Sequence, residues 1–458
     1  MSQLNPVIFK MYDIRGIVAT DLTPDTVRLV GQAFATECLK QNVKEVCIGR
    51  DGRLHSKQLS VALAEGLNAG GCDVIDVGMV PTPVLYFATH HLKTGTGIMV
   101  TGSHNPPEYN GLKMSIAGKT LYGDDITAFY NAIEAGELNN GSGSVREQPV
   151  LDEYFERIVG DIKLARPMSI AVDCGNGVAG VIATKLFKAL GCEVTELFCD
   201  VDGNFPNHHP DPSKLENLQD ICASIKENNL ELGLAFDGDG DRVGVIDNMQ
   251  KVIWPDRQMI LYSEDVLSRE PGALIIYDVK SSYNLGKEIT RMGGKALMWM
   301  TGHSLIKAKM KETGAALAGE MSGHIFFKER WYGFDDGLYS AARMLEILSQ
   351  KTATSSEIFS ALPDSCNTPE IQIMFAEGEH HAFMEKFKTT AKFENADIST
   401  IDGMRVTWNK GWGLIRPSNT TPCLVLRFEA EDETALAEIQ ANFRQQILAT
   451  DDTIKLNF

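Results

Sequence analysis

Hydrophobic residues recur along the first three-quarters of the chain in short β-branched runs that alternate with amphipathic stretches. The run VCIG (residues 46–49) precedes the helical pattern SKQLSVALAEGLNAG, and the strand-like VIDVG follows it. The same order recurs in SIAVD, GVAGVIATKLFKALG and EVTELF, and again in ALIIYDV, YNLGKEITRMGG and ALMWM. This strand–helix–strand spacing predicts parallel sheets with crossover helices, and therefore α/β domains.

Three breaks divide this pattern into four parts. The Gly-, Asn- and Ser-rich stretch 137–149 is typical of a surface connection, a second break lies at 248–256, and a turn-rich third spans 361–370. Beyond it, long helical stretches and the runs IQIMF, MRVTW and CLVLRFEA indicate a smaller α+β domain. We therefore predict α/β domains at 1–149, 150–251 and 252–363, and an α+β domain at 364–458.

The composition is that of a globular protein with several cores. The chain has 458 residues, of which 43% are hydrophobic and 23% charged. Its 43 Lys and Arg against 61 Asp and Glu give a net charge of −18. Such an acidic surface argues against nucleic acid or an anionic membrane as a partner, although a local basic pocket remains able to bind a small anion.

The cysteines and the N-terminus indicate a cytoplasmic protein. The nine cysteines form no CxxC pair, so we expect free thiols in a reducing compartment rather than a disulfide framework. The first residues lack the apolar core of a signal peptide. No apolar run approaches the roughly 18 residues that a membrane helix needs.

The strongest chemical signal is the loop Asp237-Gly238-Asp239-Gly240-Asp241-Arg242. Carboxylates at alternate positions fall on one side of an extended segment, and the intervening glycines allow the backbone to fold tightly. Because like charges this close repel one another unless a cation lies among them, the loop predicts a site for a hard divalent ion such as Mg²⁺. A solvated acidic turn is the alternative. An EF-hand is excluded, since Arg242 and Asn248 stand where that motif needs Gly and Glu.

A second loop, Thr101-Gly102-Ser103-His104-Asn105-Pro106, places a serine directly after an apolar run. The nucleophile elbow of α/β-hydrolases has glycine two residues before and after its serine, where this chain has Thr101 and Asn105. Ser103 is therefore a candidate phosphoryl acceptor, metal ligand or structural turn residue. Lys113, ten residues further on, adds positive charge near it.

Two weaker loops offer groups suited to a phosphorylated sugar. Glu320 and Ser322, in GEMSGH, present an acceptor and a donor to one side, as sugar hydroxyls require. The segment 416–421 combines an arginine with hydroxyl and amide side chains, as a phosphate cradle does. Either segment is also compatible with an ordinary turn. Further basic or titratable groups stand at Lys10, Tyr12, Arg15, Lys280 and His303.

Together the loops indicate phosphoryl transfer, because they contain a hard-cation site, a candidate serine and several basic groups. The sequence contains neither a Walker A motif nor a kinase Gly-rich loop with its partner motifs. With no motif for a nucleoside triphosphate, the serine itself becomes the candidate carrier of the phosphoryl group.

In this order, TGSHNP, DGDGDR, GEMSGH and the arginine–SNTT loop resemble the four motifs of the α-D-phosphohexomutases. The run GEMSGHIFFKERWYGFDDGLYSAARMLEIL, with KMYDIRG near the start, resembles the bacterial phosphomannomutase/phosphoglucomutase branch of that family. The resemblance extends over essentially the whole chain. It implies a heart-shaped, four-domain enzyme, in which three related α/β domains with mixed sheets and a smaller α+β C-terminal domain surround a deep cleft.

The resemblance also implies a role for each site residue. Ser103 is the expected phosphoserine, and its oxygen completes the expected Mg²⁺ site of Asp237, Asp239 and Asp241. The expected catalytic residues are Ser103, Arg15, His104, Lys113 and His303. The expected substrate-binding residues are Tyr12, Arg242, Lys280, Glu320, Ser322, His324, Arg416, Ser418, Asn419 and Thr420.

The implied reaction moves phosphate reversibly between C1 and C6 of mannose and glucose phosphates and supplies precursors for polysaccharide synthesis. Hexose 1,6-bisphosphate is its expected intermediate and activator, and it must turn end over end between two transfers at the same serine. Lys113 and His303 remain alternative general bases. A phosphoglucosamine mutase and a non-catalytic sugar-phosphate-binding protein remain alternative functions. We expect a monomer with small hexose phosphates as its ligands.

Overall fold

The computed structural model describes residues 4–376, 378–419, 421–456 and 458. Four β-sheets follow one another along the chain, and each is formed by one continuous stretch of sequence. We refer to them as the first, second, third and fourth sheets.

The first sheet is mixed. Its strands are β1 (Ile14–Ile17), β2 (Glu45–Arg50), β3 (Asp73–Met79), β4 (Gly97–Val100), β5 (Tyr109–Ile116), β6 (Lys119–Thr120) and β7 (Val145–Glu147). They lie in the order β1-β5-β4-β2-β3-β7, with β6 paired to β5. Strands β4, β2, β3 and β7 run parallel, and β5 runs antiparallel to its neighbours. Its helices are α1 (Pro24–Lys40), α2 (Ser56–Gly70), α3 (Thr82–His91) and α4 (Asp124–Ala135), after a 3-10 turn at Pro6–Ile8.

Helices α1 and α2 approach each other closely because glycines line their contact. A Cβ added at Gly66 would lie 2.0 Å from the carbonyl oxygen of Arg28, and one added at Gly31 would lie 2.7 Å from that of Leu63. The start of α1 is fixed by Thr23, whose side chain accepts a 3.2 Å hydrogen bond from a backbone N–H in the first turn.

The second and third sheets repeat a smaller version of this pattern. The second contains β8 (Met168–Asp173), β9 (Cys192–Leu197), β10 (Leu232–Phe236), β11 (Val243–Asp247) and β12 (Val252–Ile253), in the order β12-β11-β10-β8-β9. Its helices are α5 (Leu151–Asp161), α6 (Ala183–Ala189) and α7 (Gln219–Asn228), with 3-10 turns at Val178–Val181 and Leu215–Leu218. The third contains β13 (Leu274–Asp278), β14 (Lys295–Trp299), β15 (Leu317–Gly319) and β16 (Ile325–Phe327), in the order β14-β13-β15-β16. Its helices are α8 (Pro255–Arg269), α9 (Tyr283–Arg291), α10 (His303–Thr313), α11 (Gly337–Ser349) and α12 (Ser355–Ser360).

The fourth sheet is antiparallel throughout its described pairings. Its strands are β17 (Cys366–Asn367), β18 (Ile371–Met374), β19 (Asp397–Ser399), β20 (Met404–Trp408), β21 (Gly411–Pro417) and β22 (Cys423–Ala430). Their order is β17-β22-β21-β20-β19, with β18 also paired to β22. Its helices are α13 (Glu379–Thr390) and α14 (Glu433–Thr450).

One hydrophobic core contains residues from each of the first three sheets and from their helices, among them Phe87 of α3, Phe236 of β10 and Phe327 of β16. The fourth sheet and its helices enclose a separate core around Phe443. Polar contacts attach this last unit to the third sheet, among them a 2.9 Å hydrogen bond from Arg405 Nη1 to a backbone carbonyl. No helix in the described part of the chain is long and apolar enough to cross a membrane.

Two details differ from the hydrophobic pattern. Strand β7 lies within the stretch 137–149, which we had expected to be a connection, and pairs in parallel with β3 although its three side chains are exposed. Backbone pairing at a sheet edge needs no buried side chain, so the pattern carries no signal for it. Strand β12 pairs with β11, so the second sheet extends to Ile253. The domain boundaries themselves stay predictions.

Candidate active site

The first three motif loops each follow the carboxyl end of a strand that pairs in parallel with a neighbour, which is where ligands bind in open parallel sheets. The Ser103 loop joins β4 to β5, the acidic loop joins β10 to β11, and the Glu320 loop joins β15 to β16. The Arg416 loop lies between β21 and β22. An isolated β-bridge between Arg242 and His324 connects the second of these loops to the third.

Ser103 lies beside the acidic loop. Its Oγ is 3.3 Å from Asp237 Oδ2 and 3.1 Å from His104 Nδ1, and the residue is buried. Its φ of +49° is in the left-handed region, which non-glycine residues rarely adopt. A 2.9 Å hydrogen bond from its backbone N–H to Thr101 Oγ1 helps to hold this conformation. The serine is therefore fixed with its hydroxyl against a carboxylate.

The three carboxylates fit a hard divalent cation. Asp237, Asp239 and Asp241 are fully buried, and one oxygen of each lies within 4.8 Å of the others. Asp239 Oδ1 and Asp241 Oδ1 have no hydrogen-bond partner among the described residues. Burial raises the pKa of Asp237 to about 7, with the neighbouring carboxylates adding to the effect and Arg242 opposing it. An all-oxygen set of crowded carboxylates is the chemistry that Mg²⁺ prefers.

Two buried cations contact these carboxylates. Lys113 Nζ lies 2.7 Å from Asp239 Oδ2 and 2.5 Å from Asp241 Oδ2. Burial by itself would lower the pKa of Lys113, but the two carboxylates raise it well above its usual value. Arg242 Nε lies 3.1 Å from Asp237 Oδ2. Both side chains therefore carry positive charge at the site where a phosphoryl group would meet Ser103.

The Glu320 loop lies next to this cluster. His324 Nε2 is 3.5 Å from Asp241 Oδ1, and its Nδ1 is 3.2 Å from Glu320 Oε2 and 2.9 Å from Ser322 Oγ. Burial lowers the pKa of His324, but the two carboxylates outweigh it and raise that pKa to about 10. His303, whose ring stacks on His324 at 5.5 Å, has its pKa lowered well below the usual value by burial and by Lys307 and Lys113.

The Arg416 loop is joined to the rest of the site by a short chain of contacts. Arg416 Nε lies 2.9 Å from Asp402 Oδ2, which also accepts the Thr301 N–H at 3.0 Å. The Tyr12 hydroxyl donates to the Thr301 carbonyl at 2.8 Å and accepts from the Asn419 amide. The Gly302 N–H donates to Glu320, so the Glu320 loop and the Arg416 loop are connected through residues 301–302.

The structure thus brings most of the predicted residues together. Arg15 contacts the serine loop through Asn105, and burial with nearby Arg242 lowers the pKa of His104 well below its usual value. Lys280 pairs instead with Glu370 at 2.5 Å, between the third sheet and the last unit. Ser418 accepts the Thr421 N–H at 3.2 Å, and Thr420 lies outside the described residues.

Several residues that contact the site belong to none of the four motifs. Thr82 Oγ1 contacts Asp239 Oδ2 at 2.5 Å, Asp211 Oδ1 lies 3.4 Å from Arg242 Nη1, and Asp402 holds Arg416. Asp51 accepts the Gly102 N–H at 3.0 Å. A charged residue within two positions of the end of an apolar run is a usable signal, and it would have found Asp51 after VCIG and Arg50; the others have no local signal.

Comparison with known proteins agrees with this geometry. Models of the phosphoglucomutase/phosphomannomutase family match in chain order: the α/β/α domains I, II and III at 6–140, 152–250 and 254–366, and the C-terminal domain at 368–446. A phosphomannomutase/phosphoglucomutase of Pseudomonas aeruginosa is 54% identical over 98% of this chain and 97% of its own. A phosphoglucomutase of Neisseria gonorrhoeae is 51% identical over 98% of each chain.

A crystal structure of a phosphoglucomutase/phosphomannomutase family protein from Burkholderia thailandensis superimposes with a TM-score of 0.95 at 52% identity, covering 100% of both chains. These matches confirm the predicted four-domain architecture with mixed α/β sheets. They also confirm the predicted class of enzyme, an isomerase of the phosphohexomutase type. The chain belongs to the phosphoglucomutase/phosphomannomutase family.

Proposed function

We propose that this protein transfers phosphate reversibly between C1 and C6 of mannose and glucose phosphates, with Ser103 as the phosphoryl carrier. The observation that carries the proposal is the buried Ser103 hydroxyl, 3.3 Å from Asp237, beside two further carboxylates and the charges of Lys113 and Arg242. The two sugars are those for which the Pseudomonas aeruginosa and Neisseria gonorrhoeae relatives are named.

Asp237, Asp239 and Asp241 would hold Mg²⁺, together with a phosphoserine oxygen. When bound, the ion would neutralise charge on the phosphoryl oxygens. Lys113 and Arg242 supply positive charge to the same place from the chain itself, in a buried setting where such charges act more strongly than in water.

Two transfers at one serine account for the reaction. In the first, a sugar hydroxyl gives its proton to a base and attacks the phosphorus on Ser103, a sugar O–P bond forms, the P–Oγ bond breaks, and the leaving Oγ takes up a proton to restore the serine hydroxyl. The hexose 1,6-bisphosphate then reverses its orientation, the Ser103 hydroxyl gives up its proton as Oγ attacks the other phosphate, and the sugar oxygen that leaves is protonated in its turn. Of the two alternative bases, Lys113 is held as an ammonium by its carboxylates, and His303 is neutral but has a lowered pKa that weakens it as a proton acceptor, so the pKa shifts favour neither.

The Arg416 loop, which follows β21 in the fourth sheet, would bind the phosphate that is not transferred. Asp402 accepts a hydrogen bond from Arg416 Nε and so fixes the orientation of the guanidinium. The guanidinium is therefore preorganised to pair with phosphate oxygens. Glu320 and Ser322 lie between this arginine and Ser103 along the chain of contacts, where they would bind sugar hydroxyls. Because phosphate arrives on C1 or C6, a polar cradle suits this end better than a shape-tight pocket.

The same proposal includes a cellular setting. We propose that the enzyme acts as a monomer in the cytoplasm, with Mg²⁺ bound and hexose 1,6-bisphosphate as its activator. The free state of all nine cysteines supports a reducing compartment.

Turnover of mannose 1-phosphate and glucose 1-phosphate tests the proposal. The assay uses purified protein, Mg²⁺ and a trace of glucose 1,6-bisphosphate. We expect activity on both sugars, a mass increase of one phosphate after treatment with the bisphosphate, and loss of both signals in Ser103→Ala. Ser142→Ala, which changes an exposed serine in the connection before β7, is the matched control and should behave as wild type.

The outcomes separate the alternatives. Turnover of glucosamine 6-phosphate in place of both hexoses would indicate a phosphoglucosamine mutase. Mg²⁺-dependent binding of sugar phosphates without turnover or phosphorylation would indicate a binding protein. Activity that survives in Ser103→Ala would refute the role of the serine.

A further inference from the structure

The loop that carries Ser103 packs around the buried side chain of Arg53, which belongs to none of the four motifs. Arg53 Nη2 donates to the carbonyl oxygens of Ser103 at 2.8 Å and Asn105 at 2.6 Å. Its Nη1 donates to those of Pro106 at 2.6 Å and Tyr109 at 3.1 Å. One guanidinium therefore contacts four carbonyls along the whole turn from Ser103 to the start of β5.

From this arrangement we propose that Arg53 is a positioning residue, which sets the orientation of the Ser103 hydroxyl for phosphoryl transfer by holding the carbonyl side of its loop. The proposal rests on the role of Ser103 proposed above. Arg53 donates to the Ser103 carbonyl and not to the hydroxyl that would carry the phosphoryl group.

The first reason is the strained backbone at the serine. Ser103 has a φ of +49°, a conformation that a non-glycine residue keeps only when its surroundings enforce it. Thr101 Oγ1 holds the Ser103 N–H at 2.9 Å, and Arg53 holds its carbonyl. The serine is thus clamped on both sides of its Cα atom.

The second reason is electrostatic. A site for a doubly charged phosphoserine must keep the negative ends of backbone dipoles away from the phosphate. Carbonyl oxygens that accept hydrogen bonds from a buried cation are already neutralised and directed at that cation. Only a planar guanidinium with several donors in a fixed fork collects four carbonyls, so lysine is no substitute.

The third reason is that Arg53 is itself held from two directions. Its Nε lies 3.3 Å from Asp51 Oδ2, the oxygen that also accepts the Thr101 hydroxyl at 2.8 Å. Its guanidinium carbon lies 5.1 Å from the ring centroid of Phe205, which comes from the second-sheet region. Arg53 therefore fixes the serine loop relative to the region that carries the three carboxylates.

Steady-state kinetics on Arg53→Met and Arg53→Lys test the inference. We expect kcat to fall about 100-fold in Arg53→Met, the effect of roughly 1 Å of misplacement, with KM changed by less than about twofold. Arg53→Lys should recover only part of the loss, because it keeps the charge and loses the fork. Arg50→Met is the matched control: Arg50 pairs with Asp76 at 3.5 Å near the end of β2, and this variant should keep wild-type kcat.

A second measurement distinguishes a positioning role from a general loss of stability. It follows the phosphorylation of Ser103 by glucose 1,6-bisphosphate through the intact mass of the protein. Arg53→Met should accept phosphate more slowly than wild type at a temperature where both are folded by circular dichroism. If Arg53→Met does not fold, Gly102→Ala replaces it. A Cβ at Gly102 would lie 2.5 Å from the guanidinium carbon and would displace it while leaving the arginine in place.

Each outcome decides the matter. An unchanged kcat in folded Arg53→Met or in Gly102→Ala, a rise in KM without a fall in kcat, or full activity in Arg53→Lys would overturn the positioning role. Absence of turnover in wild type and Arg50→Met alike would instead refute the proposed function.

Discussion

Removal of the Tyr12 hydroxyl should weaken substrate binding with little effect on the chemical step. Tyr12 precedes β1, and its hydroxyl donates to the Thr301 carbonyl at 2.8 Å while accepting from Asn419 in the loop that we propose binds phosphate. Tyr12→Phe deletes both hydrogen bonds and keeps the ring. The Asn419 amide then lacks the acceptor that orients its loop.

The expected magnitude follows from these two contacts. Each neutral hydrogen bond contributes about 0.5–1.5 kcal/mol net, so both together contribute about 1–3 kcal/mol. Because the hydroxyl is only partly buried, we take about 1.4 kcal/mol, which corresponds to a tenfold change in an equilibrium constant. KM for glucose 1-phosphate should therefore rise about tenfold, and kcat should fall by less than about threefold, since the two hydrogen bonds of the Tyr12 hydroxyl go to Thr301 and Asn419 and not to Ser103.

The pH dependence supplies an internal check. Burial raises the pKa of Tyr12 to about 12, so the hydroxyl keeps its proton throughout the working range of the enzyme. The folded state favours the neutral form, so this contribution to stability is fully present below pH 10 and is lost as the pH rises from 10 towards 12. The ratio of wild-type to Tyr12→Phe KM should therefore be constant between about pH 6.5 and 9.

Coupled-assay kinetics at several pH values measure both quantities. Tyr130→Phe is the matched control, because Tyr130 lies on α4 with its ring 5.5 Å from Phe9, and its KM should equal that of wild type. A KM for Tyr12→Phe within twofold of wild type, or a fall in kcat at constant KM, would show that the Tyr12 hydroxyl does not contribute to substrate binding.

Three further predictions concern stability and the metal. Gly66→Ala should destabilise the protein by about 1–3 kcal/mol, because the added Cβ would lie 2.0 Å from a backbone oxygen. Gly160→Ala on α5 should stabilise the protein by about 0.5–1 kcal/mol, because the added Cβ would meet nothing within 4 Å, and calorimetric shifts of the same sign for the two variants would contradict both predictions. Burial raises the pKa of Asp336 to about 7, so its contribution to stability is present below about pH 4 and lost as the pH rises to 7. Asp336→Asn should therefore raise the melting temperature relative to wild type more at pH 8 than at pH 5, and an equal change at both would contradict it. Excess EDTA should abolish turnover and added Mg²⁺ should restore it, because Asp239 and Asp241 each retain an oxygen that accepts no hydrogen bond from the described residues; undiminished activity in EDTA would exclude a metal requirement.

Much of the architecture was predictable because its causes are local. Helix α2 begins and ends at the residues that the amphipathic pattern marks, Ser56 and Gly70, and the left-handed Gly71 that follows closes it. The strands SIAVD and ALIIYDV appear as β8 and β13 for the same reason, since uninterrupted apolar runs must be buried on both faces. Strand β7 and the short β12 were missed, because edge pairing depends on a neighbour rather than on their own side chains.

By itself the sequence determined which loops carry chemistry, and the tertiary structure decided how they act together. Asp237, Asp239 and Asp241 lie within one segment of five residues, so the local sequence alone indicates a cation site. The lysine that contacts these carboxylates is 126 residues from Asp239, and Arg53 reaches the Ser103 carbonyl across 50 residues. Contacts of that span depend on how whole sheets pack, and packing is set by the summed burial of many side chains rather than by any motif.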